Sequence, residues 1–222
     1  MAGCGCFSMM TSIFEGDTTM TQYDRMLAGL LYDPDNEDVE AEQMQYQDKL
    51  WEFNQLKPSD LEKKQQYMKE LFAECGEHNY IELPFHANWG GHHVHLGNWI
   101  YFNSNVTIVD DGNVYIADNV MFGPNVTIAT ANHPINAELR QKRYQYNKDV
   151  HIGKNTWIGA GVVIVPGVTI GENTVIGAGS VVTKNIPDNV VAVGNPCHVL
   201  REVGEHDREY FYKNEKIDWE NL

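Results

Sequence analysis

Basic side chains are scarce in this chain: 16 Lys and Arg stand against 31 Asp and Glu, a formal net charge of −15. Most of the imbalance lies in residues 1–90, with 17 acidic and 6 basic side chains (−11) against 14 and 10 (−4) beyond. A surface so poor in cations argues against nucleic acid or an anionic membrane as partner, and a solvated acidic face accounts for the excess. Cysteine is almost as rare. Cys4, Cys6, Cys75 and Cys197 are too few and scattered for a disulfide framework and lack the paired spacing of a zinc site, which points to reduced thiols in a cytoplasmic protein. Long apolar runs are missing too: none approaches the roughly 20 residues that span a bilayer. No basic residue precedes Arg25 to open a signal peptide.

What the chain does have is a repeat. Leu96, Phe102, Ile108, Ile116, Phe122, Ile128, Ile152, Ile158, Ile164, Ile170, Ile176 and Val182 recur at steps of six, with no polar residue at any of the twelve places. Six of them are followed directly by glycine (Gly97, Gly123, Gly153, Gly159, Gly171, Gly177), so each unit reads as a short extended run closed by a turn. Three units make one triangular coil, and coils stack strand on strand about 4.8 Å apart around a core that no unit could bury alone. The step lengthens to eight between Ile108 and Ile116, at a corner carrying Asp110, Asp111 and Gly112. Between Ile128 and Ile152 it is twenty-four, four times six, so the coil resumes in phase after a charged segment that must leave the solenoid as a loop, residues 131–149. Such loops are disproportionately functional, and this one carries His133.

Around the repeat, residues 1–20 are expected to be a disordered extension. Residues 21–85 read as a helical cap: a helix from Thr21 to Tyr32 stopped by Asp33-Pro34, one from about Asn36 to Leu56, and a third opened by a capping box of Ser59 and Glu62 and closed at Gly76. Residues 86–200 would form the solenoid and residues 201–222 a charged, aromatic tail.

Four motifs in one order narrow the reading: Met26-Leu27-Ala28-Gly29 through Tyr32-Asp33; Asn105-Val106-Thr107-Ile108-Val109-Asp110-Asp111; Pro124-Asn125-Val126-Thr127-Ile128 leading to His133-Pro134; and Gly194-Asn195-Pro196-Cys197. Together, over about Met20 to Val203, they resemble the maltose and galactoside O-acetyltransferases. The resemblance implies a left-handed parallel β-helix in a homotrimer, with acetyl-CoA and a sugar acceptor meeting between subunits. The hand comes from the resemblance alone, because a period of six does not decide it and generic crossover rules favour the right hand.

The chemistry can be argued beside it. An alcohol is a poor nucleophile at neutral pH, and histidine is suited to take its proton. His133, alone an ordinary loop residue before proline, matches the family's catalytic histidine. By the same resemblance Asp33, Asn103 and Asp111 would hold acceptor hydroxyls, with Tyr101 and Asn88 lining the pocket. Ala160 and Ala178, directly after coil glycines, would let backbone amides approach acetyl-CoA closely, with the Ala160 amide stabilising the thioester oxyanion. Thr183, Lys184 and Arg201 match positions near the CoA nucleotide, and His198 replaces a basic residue common there. Gln43 stands where relatives often carry arginine, and Trp89-Gly90-Gly91-His92-His93 holds one extra residue. Rival readings are a xenobiotic or serine acetyltransferase on the same scaffold, or a γ-type carbonic anhydrase using His86, His92, His93 and His95. Three of those four histidines crowd into four residues at the first coil, a poor arrangement for an open three-ligand zinc site, and no metal is expected.

Overall fold

Parallel pairing starts at Glu74 in the computed structural model, which describes residues 20–222; the expected extension up to Thr19, with Cys4 and Cys6, lies outside the described residues. Three faces form. The first stacks Glu74–Cys75, Val94–Leu96, Val114–Ile116, Val150–Ile152 and Thr169–Ile170. On the second lie Tyr80–Ile81, Tyr101–Phe102, Met121–Phe122, Trp157–Ile158, Val175–Ile176 and Val190–Val193, closed by antiparallel His198–Glu202. The third holds His86–Ala87, Thr107–Val109, Thr127–Ala129, Val163–Ile164 and Val181–Val182. The register puts like on like: Leu96, Ile116, Ile152 and Ile170 pair in one column, and Phe102 lies on Phe122 with ring centroids 4.7 Å apart. All twelve repeat residues are at most 4 % exposed.

Two corrections concern the repeat. A second inward row runs two residues ahead of the first, through Ile100, Val106, Val120, Val126, Val162 and Val168, and continues in buried Thr156, Thr174 and Ser180. Those three hydroxyls donate to carbonyls of the coil turns, Gly171, Pro187 and Gly177, so the polar substitutions leave nothing unsatisfied. The six coil glycines are not there for left-handed backbone. That conformation falls to asparagines at the corners, Asn105, Asn119, Asn125, Asn155, Asn173 and Asn189, whose short polar side chain tolerates it. The glycines are required by the close approach of the next coil: a Cβ on Gly123 would stand 2.6 Å from the Ala160 nitrogen.

The cap is shorter than its expected span. Helices α1 (Gln22–Leu27), α2 (Glu37–Asn54) and α3 (Leu61–Leu71) end before the first coil, which occupies residues 74–87. Gly76 does not close α3; it is a coil-turn glycine packed under Gly97. The capping box falls elsewhere too: α3 starts after Asp60 without a side-chain cap, whereas Thr21 and Asp24 form a reciprocal one on α1. Phe53, Met68, Leu71 and Phe72 join the solenoid core, so the helices cover its otherwise open end. Residues 131–149 leave as a ribbon, Ala131–Asn132 antiparallel to Tyr146–Asn147, tipped by α4 (Ala137–Gln141). The tail is ordered as one helical turn, His206–Glu209, and a hairpin. No helix among the described residues is long and apolar enough to cross a membrane.

Candidate functional site

Each coil turns from the third face to the first at one corner, and three successive coils place Asn88, then Asp110-Asp111, then the root of the ribbon there. The eight-residue step accommodates two acids with different tasks. Asp110 is fully buried, its carboxylate accepting from the backbone N–H of Trp89 at 2.7 Å and of Gly91 at 2.9 Å; burial pushes it up to about 7. It thereby folds the glycine turn with the extra residue, where Gly90 and Gly91 both have positive φ and a Cβ on Gly90 would meet the Tyr46 carbonyl oxygen at 2.4 Å. Asp111 points the other way. Its two oxygens accept from Asn88 Nδ2 at 2.9 Å and face the Tyr32 hydroxyl at 3.3 Å, and burial raises its pKa.

The ribbon brings His133 over this corner. Its Nδ1 lies 2.9 Å from the Tyr144 carbonyl; because a carbonyl only accepts, Nδ1 carries the proton and Nε2 presents a lone pair. Tyr32, Asp35, Gln43, Asn88, Trp89, Asp111, His133, Arg143 and Gln145 surround a cavity of about 330 Å³. The Trp89 indole N–H, on a side chain 1 % exposed, has no partner among the described residues. Gln43 donates to the Asn88 carbonyl at 3.0 Å, and Arg143 pairs with Asp35 at 2.6 Å.

Of the sequence-derived candidates, the fold unites His133, Asp111 and Asn88. Asp33 stands just outside, its carboxylate accepting from the Asp35 N–H at 3.1 Å. Tyr101 and Asn103 lie on the second face and the corner after it, away from His133. That same corner, between the second and third faces, carries Ala160 and Ala178 two and three coils further on. Both alanines are exposed, and their N–H groups donate to no partner among the described residues. Neighbouring Gly161 and Gly179 face open space. Thr183 and Lys184 are exposed at the ribbon corner of the fifth coil. His198 turns onto the Pro196 carbonyl at 3.3 Å. The Arg201 fork is filled by Asp207, two contacts of 2.7 Å, so within one chain it is not presented to a phosphate. Tyr32, Trp89 and Gln145 are among the lining residues that spacing did not reveal. Tyr32 and Gln145 are 113 positions apart, and only the folded ribbon joins them.

The clustered histidines have other occupations. His92 stacks on Tyr46 at 3.7 Å, and His95, Tyr115 and His151 form a ladder on the first face. His93 is 4 % exposed, bonded through Nδ1 to the Asp110 carbonyl at 2.6 Å and through Nε2 to the Tyr23 hydroxyl at 3.1 Å, which ties α1 to the corner. Among the described residues no three His, Cys, Asp or Glu side chains converge as a metal site. Burial lowers the His93 pKa from 6.5 to about 4. Its contribution to stability is therefore complete above pH 6.5 and is lost as pH falls toward 4, because the unfolded chain then binds a proton that the folded ring refuses. Asp110, raised, acts in the opposite sense over part of that interval, so the check is a difference. The gap in unfolding free energy between wild type and His93→Asn should shrink by about 2 kcal/mol between pH 7.5 and 5; a constant gap in urea melts would show the ring charged in place.

Comparison with known proteins agrees with the stacked coils and their helical cap. Residues 25–76 match the maltose acetyltransferase hexapeptide capping motif, and residues 149–184 the bacterial transferase hexapeptide of six repeats. The galactoside O-acetyltransferase of Lactococcus lactis is 47 % identical over 199 residues, covering 90 % of this chain and 96 % of that protein. A galactoside acetyltransferase solved in complex with coenzyme A superposes with a TM-score of 0.85 at 44 % identity, over 90 % of this chain and 99 % of that one. A maltose O-acetyltransferase of Clostridium difficile gives 0.81 at 41 %, over 83 % and 98 %. With 47 % and 44 % identity to these two galactoside acetyltransferases over nine tenths of its length, the chain belongs to the maltose and galactoside O-acetyltransferase family of hexapeptide-repeat acyltransferases.

Proposed function

We propose that the protein transfers an acetyl group from acetyl-CoA to a hydroxyl of a sugar of the maltose, glucose or galactoside type, with His133 as general base. The observation that carries this is the bond from His133 Nδ1 to the Tyr144 carbonyl, which leaves Nε2 as a proton acceptor at the rim of a cavity containing Asp111. Asp111 and Asn88 hold acceptor hydroxyls and orient one toward Nε2. As that oxygen attacks the thioester carbonyl, its proton passes to Nε2; the C–S bond then breaks, the acetyl group stays on oxygen, and the imidazolium returns the proton to the leaving sulfur as the CoA thiol. A free amide such as that of Ala160 is suited to the developing oxyanion.

The donor corner and the base corner lie on different edges of one prism, so one chain holds two halves of separate sites. We take the working unit as a homotrimer in which the Ala160 corner of one copy, with Tyr101 and Asn103, faces the His133 corner of the next. In that setting Lys184, Thr183 and His198 lie toward the CoA nucleotide, and Arg201 would reach it only by leaving Asp207. The test is thiol release from acetyl-CoA across a panel of sugars, with sedimentation of the same sample. Acceptor-dependent release by a trimer is expected; release without any sugar dependence, or activity in a strictly monomeric protein, would overturn the reading.

A further inference from the structure

Gln145 sits where cap, ribbon and corner meet. Its backbone forms a two-way bridge with Tyr32, N–H to O at 3.0 and 3.1 Å. Its side-chain oxygen accepts from the Tyr32 hydroxyl at 2.7 Å, and its amide nitrogen lies 3.4 Å from Nε2 of His133. The Tyr32 hydroxyl is also 3.3 Å from a carboxylate oxygen of Asp111. A chain of polar groups therefore runs from His133 through Gln145 and Tyr32 to Asp111, with one hydroxyl proton facing two acceptors.

A primary amide donates at one end and accepts at the other, and a phenol does both. While the base is neutral and no acceptor hydroxyl is bound, the arrangement seen is the consistent one: the amide N–H points at the Nε2 lone pair across a long contact that an acceptor hydroxyl displaces, and its oxygen accepts from the tyrosine hydroxyl. Once Nε2 has accepted a proton, that N–H opposes another N–H. Turning the amide over cures this. The oxygen then accepts from the imidazolium, the NH₂ donates to the tyrosine oxygen, and the tyrosine hydroxyl turns to donate to Asp111. All four groups are satisfied in either state, and in the second the new positive charge is connected to a carboxylate through polarised hydrogen bonds.

We propose that Gln145, switched by Tyr32, is a positioning residue that satisfies His133 in both of its protonation states and links the imidazolium to Asp111. This deepens the general-base reading and rests on it. No bond other than hydrogen bonds changes, and the tyrosine keeps its proton throughout.

The experiment is the pH dependence of kcat/KM for acetyl transfer to an alkyl galactoside, read by thiol release, in the full-length trimer. Gln145→Leu removes the acceptor that the imidazolium needs, so the acid limb should move to lower pH by about half a unit, with kcat about tenfold lower. Gln145→Glu supplies a carboxylate instead and should move the limb the other way, by about one unit or more. Tyr32→Phe should shift it in the leucine direction, since the amide loses its link to Asp111. Opposite displacements in the two Gln145 variants support the relay. Limbs that stay at the wild-type position in both, in an enzyme that His133→Ala inactivates, would overturn it whatever happens to kcat, because a merely structural residue does not move a proton equilibrium. Turnover surviving His133→Ala would instead sink the underlying base assignment. If Gln145→Leu does not fold, Tyr32→Phe decides: an acid limb that stays at the wild-type position in that variant would overturn the relay.

Discussion

His133→Ala should lower kcat by about 10² to 10⁴, the usual range for losing a general base, while acetyl-CoA affinity changes little. The two effects separate because the groups proposed for the donor, the Ala160 and Ala178 amides with Lys184, lie on the coils, whereas His133 is on the ribbon. The ribbon itself survives the change: its strand pairing, the Asn147 side chain bonded to the Asp111 carbonyl at 2.8 Å and the Arg143–Asp35 pair remain. Wild-type turnover should also fall on the acid side, because a protonated Nε2 can no longer accept. A covalent route would need another nucleophile; neither Cys75 nor buried Cys197 stands in the cavity, and burial raises both thiols. An acetylated enzyme accumulating without acceptor, or near-normal kcat in the alanine variant, would contradict direct transfer.

The solenoid was legible because its physics is periodic. One side chain in six must fill a narrow core, and the twelve residues from Leu96 to Val182 occupy those places with no polar exception. The same period told where the coil stops and resumes, so the ribbon that carries His133 could be delimited without any structure. Less local features were harder. The first coil, at residues 74–87, escapes the register although Cys75, Ile81 and Ala87 sit at steps of six, because the step from Ala87 to Leu96 is nine and Gly76 reads as the stop of the helix before it. The hand of the coil was available only from the resemblance. Asp111 and Asn88 could be named together only through the resemblance, and the folded coils place both on one corner.

Tyr32, Trp89 and Gln145 could not, for a different reason. Tyr32 enters the cavity from the cap, Trp89 from a turn folded by Asp110, and Gln145 from the returning arm of the ribbon. Their meeting depends on tertiary contacts that no period encodes. Arg201 illustrates the opposite failure: a cation at a family position reads as free in sequence, yet Asp207, six residues on, already holds it. Whether a charge is available is a property of its neighbours in space.

Asp111→Ala should reduce kcat/KM for the acceptor by about 10²-fold, from higher KM and lower kcat together, and leave CoA binding nearly intact. The carboxylate offers charged acceptors to sugar hydroxyls, each such bond being worth about 1.5–3 kcal/mol, and its removal also frees Asn88 and Tyr32, which it now orients. Neither tie reaches the Ala160 corner. Asp110, its neighbour in sequence, supplies the contrast. Fully buried and outside the cavity lining, it serves the N–H groups of Trp89 and Gly91; Asp110→Ala would leave two buried donors unpaired, at about 1–3 kcal/mol each. That variant should be destabilised in urea melts and should lose the acceptor wall as a whole. Two adjacent acids are thus expected to separate cleanly, one by acceptor kinetics at normal stability, the other by stability first. If Asp111→Ala weakened acetyl-CoA and acceptor equally, or melted as early as Asp110→Ala, Asp111 would be a structural residue and the acceptor would have to bind elsewhere.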